Sequence, residues 1–84
     1  MIKEGDCVAI FHSVHRVLQA EKVLKADGYD ICLIPVPRQL SADCGLAIRF
    51  ARQSHAQIES SLARADLAIA EIWVMESGEY RPVR

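Results

Sequence analysis

The residue types that could do chemistry are concentrated in one segment, which runs from Pro35 to Gly45. Two prolines flank a valine there, Arg38 follows at once, and Cys44 immediately precedes the closing glycine. The segment joins two apolar runs, and a hairpin between strands needs only about two to five connecting residues. Longer ordered connections are often functional. We therefore expect the segment to present Cys44 as a reactive or ligand-binding thiol.

The other two cysteines have more ordinary places. The spacing of Cys7, Cys32 and Cys44 matches neither a CxxC pair nor a zinc finger, and nothing in the sequence favours a disulfide scaffold. Cys7 and Cys32 lie in short apolar runs that are typical of strands, where a cysteine usually packs as a small buried hydrophobe. Cys44 therefore remains the thiol of interest.

The clearest element that could position this segment is a helix predicted over residues 14–26. Ser13 precedes the helix as an N-cap, and Gly28 follows it as a residue that accepts the left-handed conformation. Apolar residues at helical spacing predict a buried stripe. The predicted stripe contains Val14, Val17, Leu18, Val23 and Leu24.

A second helix is predicted from the Ser54–Gln57 capping-box pattern, with His55 near its start expected to be exposed and inert. Strands are predicted over residues 7–11, 29–34, 46–50 and 67–75. The resulting βαββαβ order predicts an α+β, ferredoxin-like two-layer sandwich, with two helices on one face of a four-stranded antiparallel sheet. We expect one domain over residues 1–84, with a core of about 6–75 and a polar tail at 76–84.

The predicted topology brings a helix start close to the segment that holds the thiol. Strands one and two run in the same direction, so His12 and Ser13 should lie at the same edge of the sheet as this segment. Unpaired N–H donors at the helix start and the guanidinium of Arg38 would stabilise a thiolate. Plainer interpretations stay open: the prolines only stiffen the chain, and Arg38 is solvated or pairs with Asp43. Asp43 would itself disfavour a thiolate.

A metal site is a weaker alternative. His12 and His15 could join Cys44 as ligands, because imidazole and thiolate both bind zinc or iron. Three ligands from two segments form a thin pattern, however, and histidines at a helix start are common. We therefore expect neither a metal nor a cofactor.

Composition argues against several classes of partner. The chain has 10 basic and 11 acidic residues and a net charge of −1, which gives no overall attraction to nucleic acid or to an anionic membrane. No apolar run approaches the roughly 20 residues of a membrane span, and the polar start is unlike a signal peptide. We expect a cytoplasmic protein. Ile69, Trp73 and Met75 on a predicted edge strand could support a homodimer.

The motif around the thiol resembles a known family. The runs Leu33-Ile34-Pro35-Val36-Pro37-Arg38, Leu40-Ser41 and Cys44-Gly45-Leu46-Ala47 are similar to the small selenium/sulfur carrier protein-like family, and the likeness covers roughly residues 7 to 75. The resemblance implies a small α/β domain whose Cys44 would carry sulfur or selenium as a persulfide or perselenide. It also implies a set of residues that would shape the carrier loop: Pro35, Pro37, Arg38, Ser41 and Gly45.

Three hypotheses follow from the residues and the resemblance together. In the first, the protein is a carrier between sulfur or selenium donor and acceptor enzymes, and Cys44 holds the cargo. In the second, it is a small anion-binding or protein-interaction regulatory module without covalent chemistry. In the third, Cys44 acts in a redox sensor or metal site. We do not expect a stand-alone enzyme, because no catalytic acid–base pair stands out and a small domain has little room to enclose one.

Overall fold

Each of the two α-helices lies between strands in the computed structural model, which describes residues 2–40 and 45–83. Among these residues, no helix is long and apolar enough to cross a membrane. The elements are β1 (Asp6–Ile10), α1 (Val14–Ala26), β2 (Cys32–Pro35), β3 (Leu46–Ala51), a short 3-10 helix (Arg52–Ser54), α2 (His55–Arg64), β4 (Glu71–Glu76) and β5 (Glu79–Pro82).

The sheet has the strand order β2-β3-β1-β4-β5, and every neighbouring pair is antiparallel. The prediction of an α+β domain with two helices and an antiparallel sheet is therefore confirmed for the described residues. The predicted number of strands was wrong, because the described part of the sheet contains five. The ferredoxin-like assignment stays a prediction.

β1 lies at the centre of the sheet, and all five of its residues are buried. Alternate residues of a strand point to opposite faces, so the stretch Cys7 to Ile10 must be apolar on both. Cys7 and Ala9 face the main core, to which both helices contribute. Val8 and Ile10 face a second cluster that contains no residue of either helix. We call the side of the sheet that carries this second cluster the helix-free face.

α1 begins and ends as its sequence predicts. The Ser13 hydroxyl oxygen accepts a hydrogen bond from the Arg16 backbone N–H at 3.2 Å. At the other end Gly28 has a φ of +85°, and the N–H of Tyr29 donates to the carbonyl of Leu24 at 3.0 Å. A left-handed residue directly after a helix allows this hydrogen bond to form.

The buried stripe of α1 differs from its prediction. Only Val17, Ala20 and Leu24 are buried among the residues of α1, whereas Val14 and Leu18 are each 42% exposed. The predicted stripe was too wide because hydrophobicity alone cannot say which part of an apolar arc meets the sheet. Two large aliphatic side chains are therefore left on the outer side of this helix.

α2 does not begin with the predicted capping box. The 3-10 turn places Ser54 in a helical conformation with a φ of −91° and a ψ of −1°, and its side chain makes no capping hydrogen bond. The prediction of an exposed His55 was also wrong. His55 is half-buried, its Nε2 lies 2.9 Å from Oε1 of Glu59, and its ring centroid lies 6.3 Å from that of Phe50.

The end of the chain forms a hairpin that the sequence reasoning assigned to the polar tail. Ser77 and Gly78 both have positive φ values, as a two-residue turn between antiparallel strands requires, and Glu76 pairs with Glu79 across it. β5 therefore covers the outer edge of β4. The prediction that this strand lies at an edge of the sheet was therefore wrong, and a homodimer stays a prediction.

The left-handed residue after α1 yields a stability prediction. Replacement Gly28→Ala should destabilise the fold by about 1 kcal/mol or more, because a Cβ is disfavoured at a φ of +85° although no atom would clash with it. The free energy of unfolding from urea titration measures this. The matched variant is Asp66→Gly, because Asp66 occupies the same position after α2 with a φ of +60°. That change should be neutral or stabilising, and a loss equal to that of Gly28→Ala would contradict the conformational explanation.

Candidate functional site

The segment predicted to carry the thiol is held at its base by the β2–β3 hairpin. Pro35 pairs with Leu46, and beyond this pair the backbone N–H of Val36 donates to the carbonyl of Gly45 at 3.0 Å. Gly45 is exposed and has a φ of +78°, a conformation that favours glycine. Ser41 and Cys44, two residues predicted to belong to the site, lie outside the described residues.

Leu40 attaches the first part of the segment to the sheet. Its side chain is only 5% exposed and belongs to the cluster on the helix-free face, with Val8, Ile10 and Ala47. The N–H of Leu40 also donates to the carbonyl of Pro37 at 2.9 Å, which closes a turn. Burial of a leucine side chain contributes roughly 1.5–3 kcal/mol, so this contact orders residues 36–40 against the sheet.

The tip of this turn is polar and exposed. Arg38 and Gln39 are both exposed there. Within residues 2–40 and 45–83, Arg38 has no ion-pair partner. Pro35 is exposed at the end of β2 and Pro37 is half-buried, so the two prolines stiffen the exit from the strand while they leave the guanidinium in solvent.

His12 and Ser13 lie at the same edge of the sheet as this segment. The pairing of Ile10 with Ala47 places the end of β1 beside the start of β3. His12 is exposed, and the Ser13 side chain is engaged in capping α1. Among the described hydrogen bonds and ion pairs, none joins residues 36–40 to either residue. The structure thus shows a shared edge but no direct contact in its described part.

The metal alternative gains nothing from the described residues. Within them, no three His, Cys, Asp or Glu side chains are grouped so that they could hold a metal ion. His15 is exposed on α1, where it lines a groove with Arg16 and Gln19. Cys44, the third proposed ligand, is outside the described part of the chain.

Cys7 is an inert thiol by its surroundings. It is fully buried in the main core, as the sequence predicts. Burial raises the pKa of the Cys7 thiol above its usual 9.0 because a thiolate is poorly solvated there. The nearby positive charge of Arg52 opposes this rise in pKa, and the carboxylate of Asp6 adds to it.

Cys32 is exposed, so the prediction that it packs in the core was wrong. β2 is an outer strand with a single neighbour, and Cys32 pairs with Arg49 on the helix-free face. Leu33, the next residue, points the other way and packs against the main core. An apolar run of four residues cannot reveal that its strand is at the edge of the sheet, which is why the sequence misleads here.

Two features of the described residues escaped sequence reasoning, one at the site and one at the opposite end of β1. The sequence could have indicated that Leu40 is buried, since it is an isolated apolar residue within a polar stretch. Arg49 Nη1 and Asp6 Oδ2 form an ion pair at 3.3 Å. No sequence pattern could have indicated this pair, because the two residues are distant in sequence. Oδ2 of Asp6 also accepts from the backbone N–H of Lys3 at 2.9 Å, which satisfies a mostly buried carboxylate.

Comparison with known proteins places the chain in a family. A family model described as "Putative Se/S carrier protein-like" matches residues 6–74. This stretch runs from the first residue of β1 into β4 and contains the whole of the Pro35–Gly45 segment. No match was found among curated proteins or among solved structures.

The buried thiol predicts how stability depends on alkaline pH. The folded state keeps the Cys7 proton at pH values where the unfolded chain releases it, so stability is full below about pH 9 and falls as pH rises further. Urea unfolding measured at intervals from about pH 8 to about pH 10 tests this. Cys7→Ala should flatten the decline below pH 10, while Cys32→Ala should leave it unchanged. A decline of equal slope in all three proteins would contradict the assignment, and burial of Tyr80 adds its own decline only above about pH 10.

Proposed function

Since the chain belongs to the selenium/sulfur carrier-like family, we propose that it holds a sulfur or selenium atom on Cys44 and passes it from a donor enzyme to an acceptor enzyme. The observation that carries the proposal is the family match over residues 6–74, which includes Cys44 and the motif residues on either side of it. The cargo is a persulfide or a perselenide. In this role the protein is a carrier whose reactions are completed by its partners.

The proposed chemistry needs no cofactor and no added oxidant. The Cys44 thiolate attacks the outer sulfur of a persulfide on the donor, the sulfur–sulfur bond of the donor breaks, and the donor thiolate leaves with the electron pair. Cys44 then carries the persulfide until an acceptor nucleophile attacks the same outer sulfur. Selenium transfer follows the same course. Each step exchanges one thiolate for another, so a group that stabilises the anion assists both loading and release.

Arg38 is the described residue best suited to that task. Its guanidinium is exposed at the tip of the turn, and no described carboxylate neutralises it. A full positive charge within a few ångströms of a thiolate favours the anionic form. We assign to His12 and Ser13, at the same edge, a secondary role in binding the partner or its cargo.

Both ends of the Cys44 segment are attached to the sheet, which supports a carrier role. Leu40 is buried on one side of residues 41–44, and Gly45 is bonded into the hairpin on the other. Because Gly45 has no side chain, and no described atom lies within 4 Å of where its Cβ would be, a partner can approach next to Cys44. Pro35, Pro37 and Ser41 are proposed to shape this segment rather than to react.

We also propose that the protein is cytoplasmic and that its fold is a ferredoxin-like sandwich. Cys7 and Cys32 are free, and Cys32 is exposed, which fits the reducing cytoplasm. Both helices pack in one core against one face of the sheet, and the first four strands follow the order β2-β3-β1-β4. These features support a ferredoxin-like sandwich to which β5 is added.

Loading of Cys44 tests the carrier role directly. Incubation with a cysteine desulfurase and free cysteine should add the mass of one sulfur atom to the wild-type protein, and peptide mapping should place it on Cys44. Cys44→Ser should gain nothing. Cys32→Ser is the matched control because it removes the other exposed thiol, and it should load as the wild type does. An unmodified wild type, or equal loading of Cys44→Ser, would exclude the carrier role.

The role of Arg38 predicts a change in thiol reactivity. Arg38→Gln should slow the alkylation of Cys44 near neutral pH by about two- to fivefold, because an exposed charge has a modest effect on a neighbouring thiolate. Arg38→Lys should restore part of the rate. Cys32 serves as the internal reference in each digest, since its alkylation should not respond. Equal rates at Cys44 in all three proteins would show that Arg38 does not stabilise the thiolate.

A further inference from the structure

The outer side of α1 carries the main apolar feature of the described surface. Val14 and Leu18 are each 42% exposed, and Val83 is the only other large hydrophobic residue exposed in the described part of the chain. Val14 and Leu18 are four residues apart on a helix, so their side chains lie on the same side of it. A helix that keeps two aliphatic side chains on its solvent side has a surface that a partner could bury.

The same helix carries positive charge that the fold does not use. Within residues 2–40 and 45–83, neither Arg16 nor Lys22 has an ion-pair partner, whereas Lys25 pairs with Glu21 at 3.2 Å. Arg16 and Lys22 are both exposed. Lys22 is four residues after Leu18 and lies beside it, whereas Arg16 is two residues from Leu18 and lies on the other flank of the exposed half of α1. The exposed half of α1 therefore carries aliphatic side chains on one flank and positive charge at its middle and on its other flank.

A groove of about 680 Å³ runs beside these charges. It lies between α1 and the turn after α2, and its lining includes His15, Arg16, Lys22 and Asp66. Its other wall, at residues 65–67, is held by the backbone hydrogen bonds that end α2. Ser13 also lines it, so the groove opens towards the sheet edge where β3 begins beside the end of β1.

We propose that this surface, formed by Val14, Leu18, Arg16, Lys22 and the groove and called here the α1 surface, binds an acidic amphipathic segment of the enzyme that exchanges sulfur or selenium with Cys44. The proposal rests on the proposed carrier function and names the kind of partner it requires. The segment would lie along the middle of the exposed half of α1, beside Lys22, which adjoins both Leu18 and the groove. Its carboxylates would pair with Lys22 and, towards the groove, with Arg16, and apolar side chains on its other side would cover Leu18 and Val14.

Charge and shape favour a protein segment over other occupants. Two unpaired cations with an aspartate close by are too few to hold a nucleic-acid backbone, and the chain as a whole has a net charge of −1. A small anion would leave Val14 and Leu18 uncovered. Opposite charges at the rim of an interface mainly speed encounter and select partners, which suits a carrier that must bind and release.

The test uses a synthetic helical peptide of glutamate and leucine, with a lysine-for-glutamate peptide as its control, and the full-length Cys44→Ser protein. Backbone amide shifts in NMR should map binding of the acidic peptide to α1 and residues 65–67. Arg16→Glu combined with Lys22→Glu should weaken its Kd about tenfold or more. Asp66→Asn removes the opposing charge at a position whose left-handed conformation Asn tolerates, and should tighten binding about twofold.

Lys3→Glu is the matched charge reversal, because Lys3 is exposed, has no ion-pair partner in the described residues, and is not among those lining the groove. It should leave the Kd unchanged. Arg16→Glu lies in the first turn of α1, where a negative charge is favourable, so the double variant should keep its thermal midpoint. If that midpoint falls, the double variant Arg16→Gln with Lys22→Gln is used in place of the charge reversal. It should weaken peptide binding, but less strongly than the charge reversal does. Equal weakening by Lys3→Glu, or amide shifts confined to the helix-free face, would overturn the proposal.

A transfer assay separates this inference from the carrier function. In cysteine desulfurase reactions, Arg16→Glu with Lys22→Glu should raise the KM for the carrier and leave kcat unchanged. Loading with an unaltered KM, together with no peptide binding at α1, would leave the carrier function standing and exclude the α1 surface. Peptide binding at α1 with no loading of Cys44 would leave the α1 surface standing as a binding site and exclude the carrier function.

Discussion

The structure depends on a central strand that has no polar face. β1 is flanked by β3 and β4, and each of its residues is buried. Both faces must therefore be covered, and the described part of the chain supplies two α-helices of four turns or fewer with which to do so. They cover one face. On the other, Leu40 and Trp73 belong to the cluster around Val8 and Ile10.

This requirement joins the candidate site to the stability of the fold. The side chain that attaches the Cys44 segment to the sheet is also part of the cover of β1. Removal of the Leu40 side chain from the cluster would expose Val8 and Ile10 to water. The apolar packing that covers β1 therefore also holds residues 36–40 against the sheet. A protein of this size gains a fixed start for the segment that contains Cys44 without a separate layer of structure to support it.

Sequence reasoning succeeded where the determining interactions are local. Ser13 and Gly28 bound α1 through hydrogen bonds within a few residues, so the pattern of residue types was sufficient. It failed where the outcome depends on strand order: Cys32 is exposed because β2 is an outer strand, and β5 exists because the tail returns to β4. The motif around Cys44 likewise pointed to the candidate segment, but only tertiary packing identifies Leu40 as its anchor.

The same logic explains why binding and chemistry should be placed on different elements. Within residues 36–40, Val36 and Leu40 pack on the helix-free face, so this stretch presents mainly Arg38, Gln39 and the backbone to a partner. α1 differs in this respect. Val17, Ala20 and Leu24 fill its share of the core, and Leu18 remains exposed to solvent. The end of β1 and the start of β3 meet at one edge of the sheet, and α1 begins beside that edge. In the proposed carrier, affinity for the donor and acceptor enzymes would thus be set on the helix, apart from the residues around Cys44.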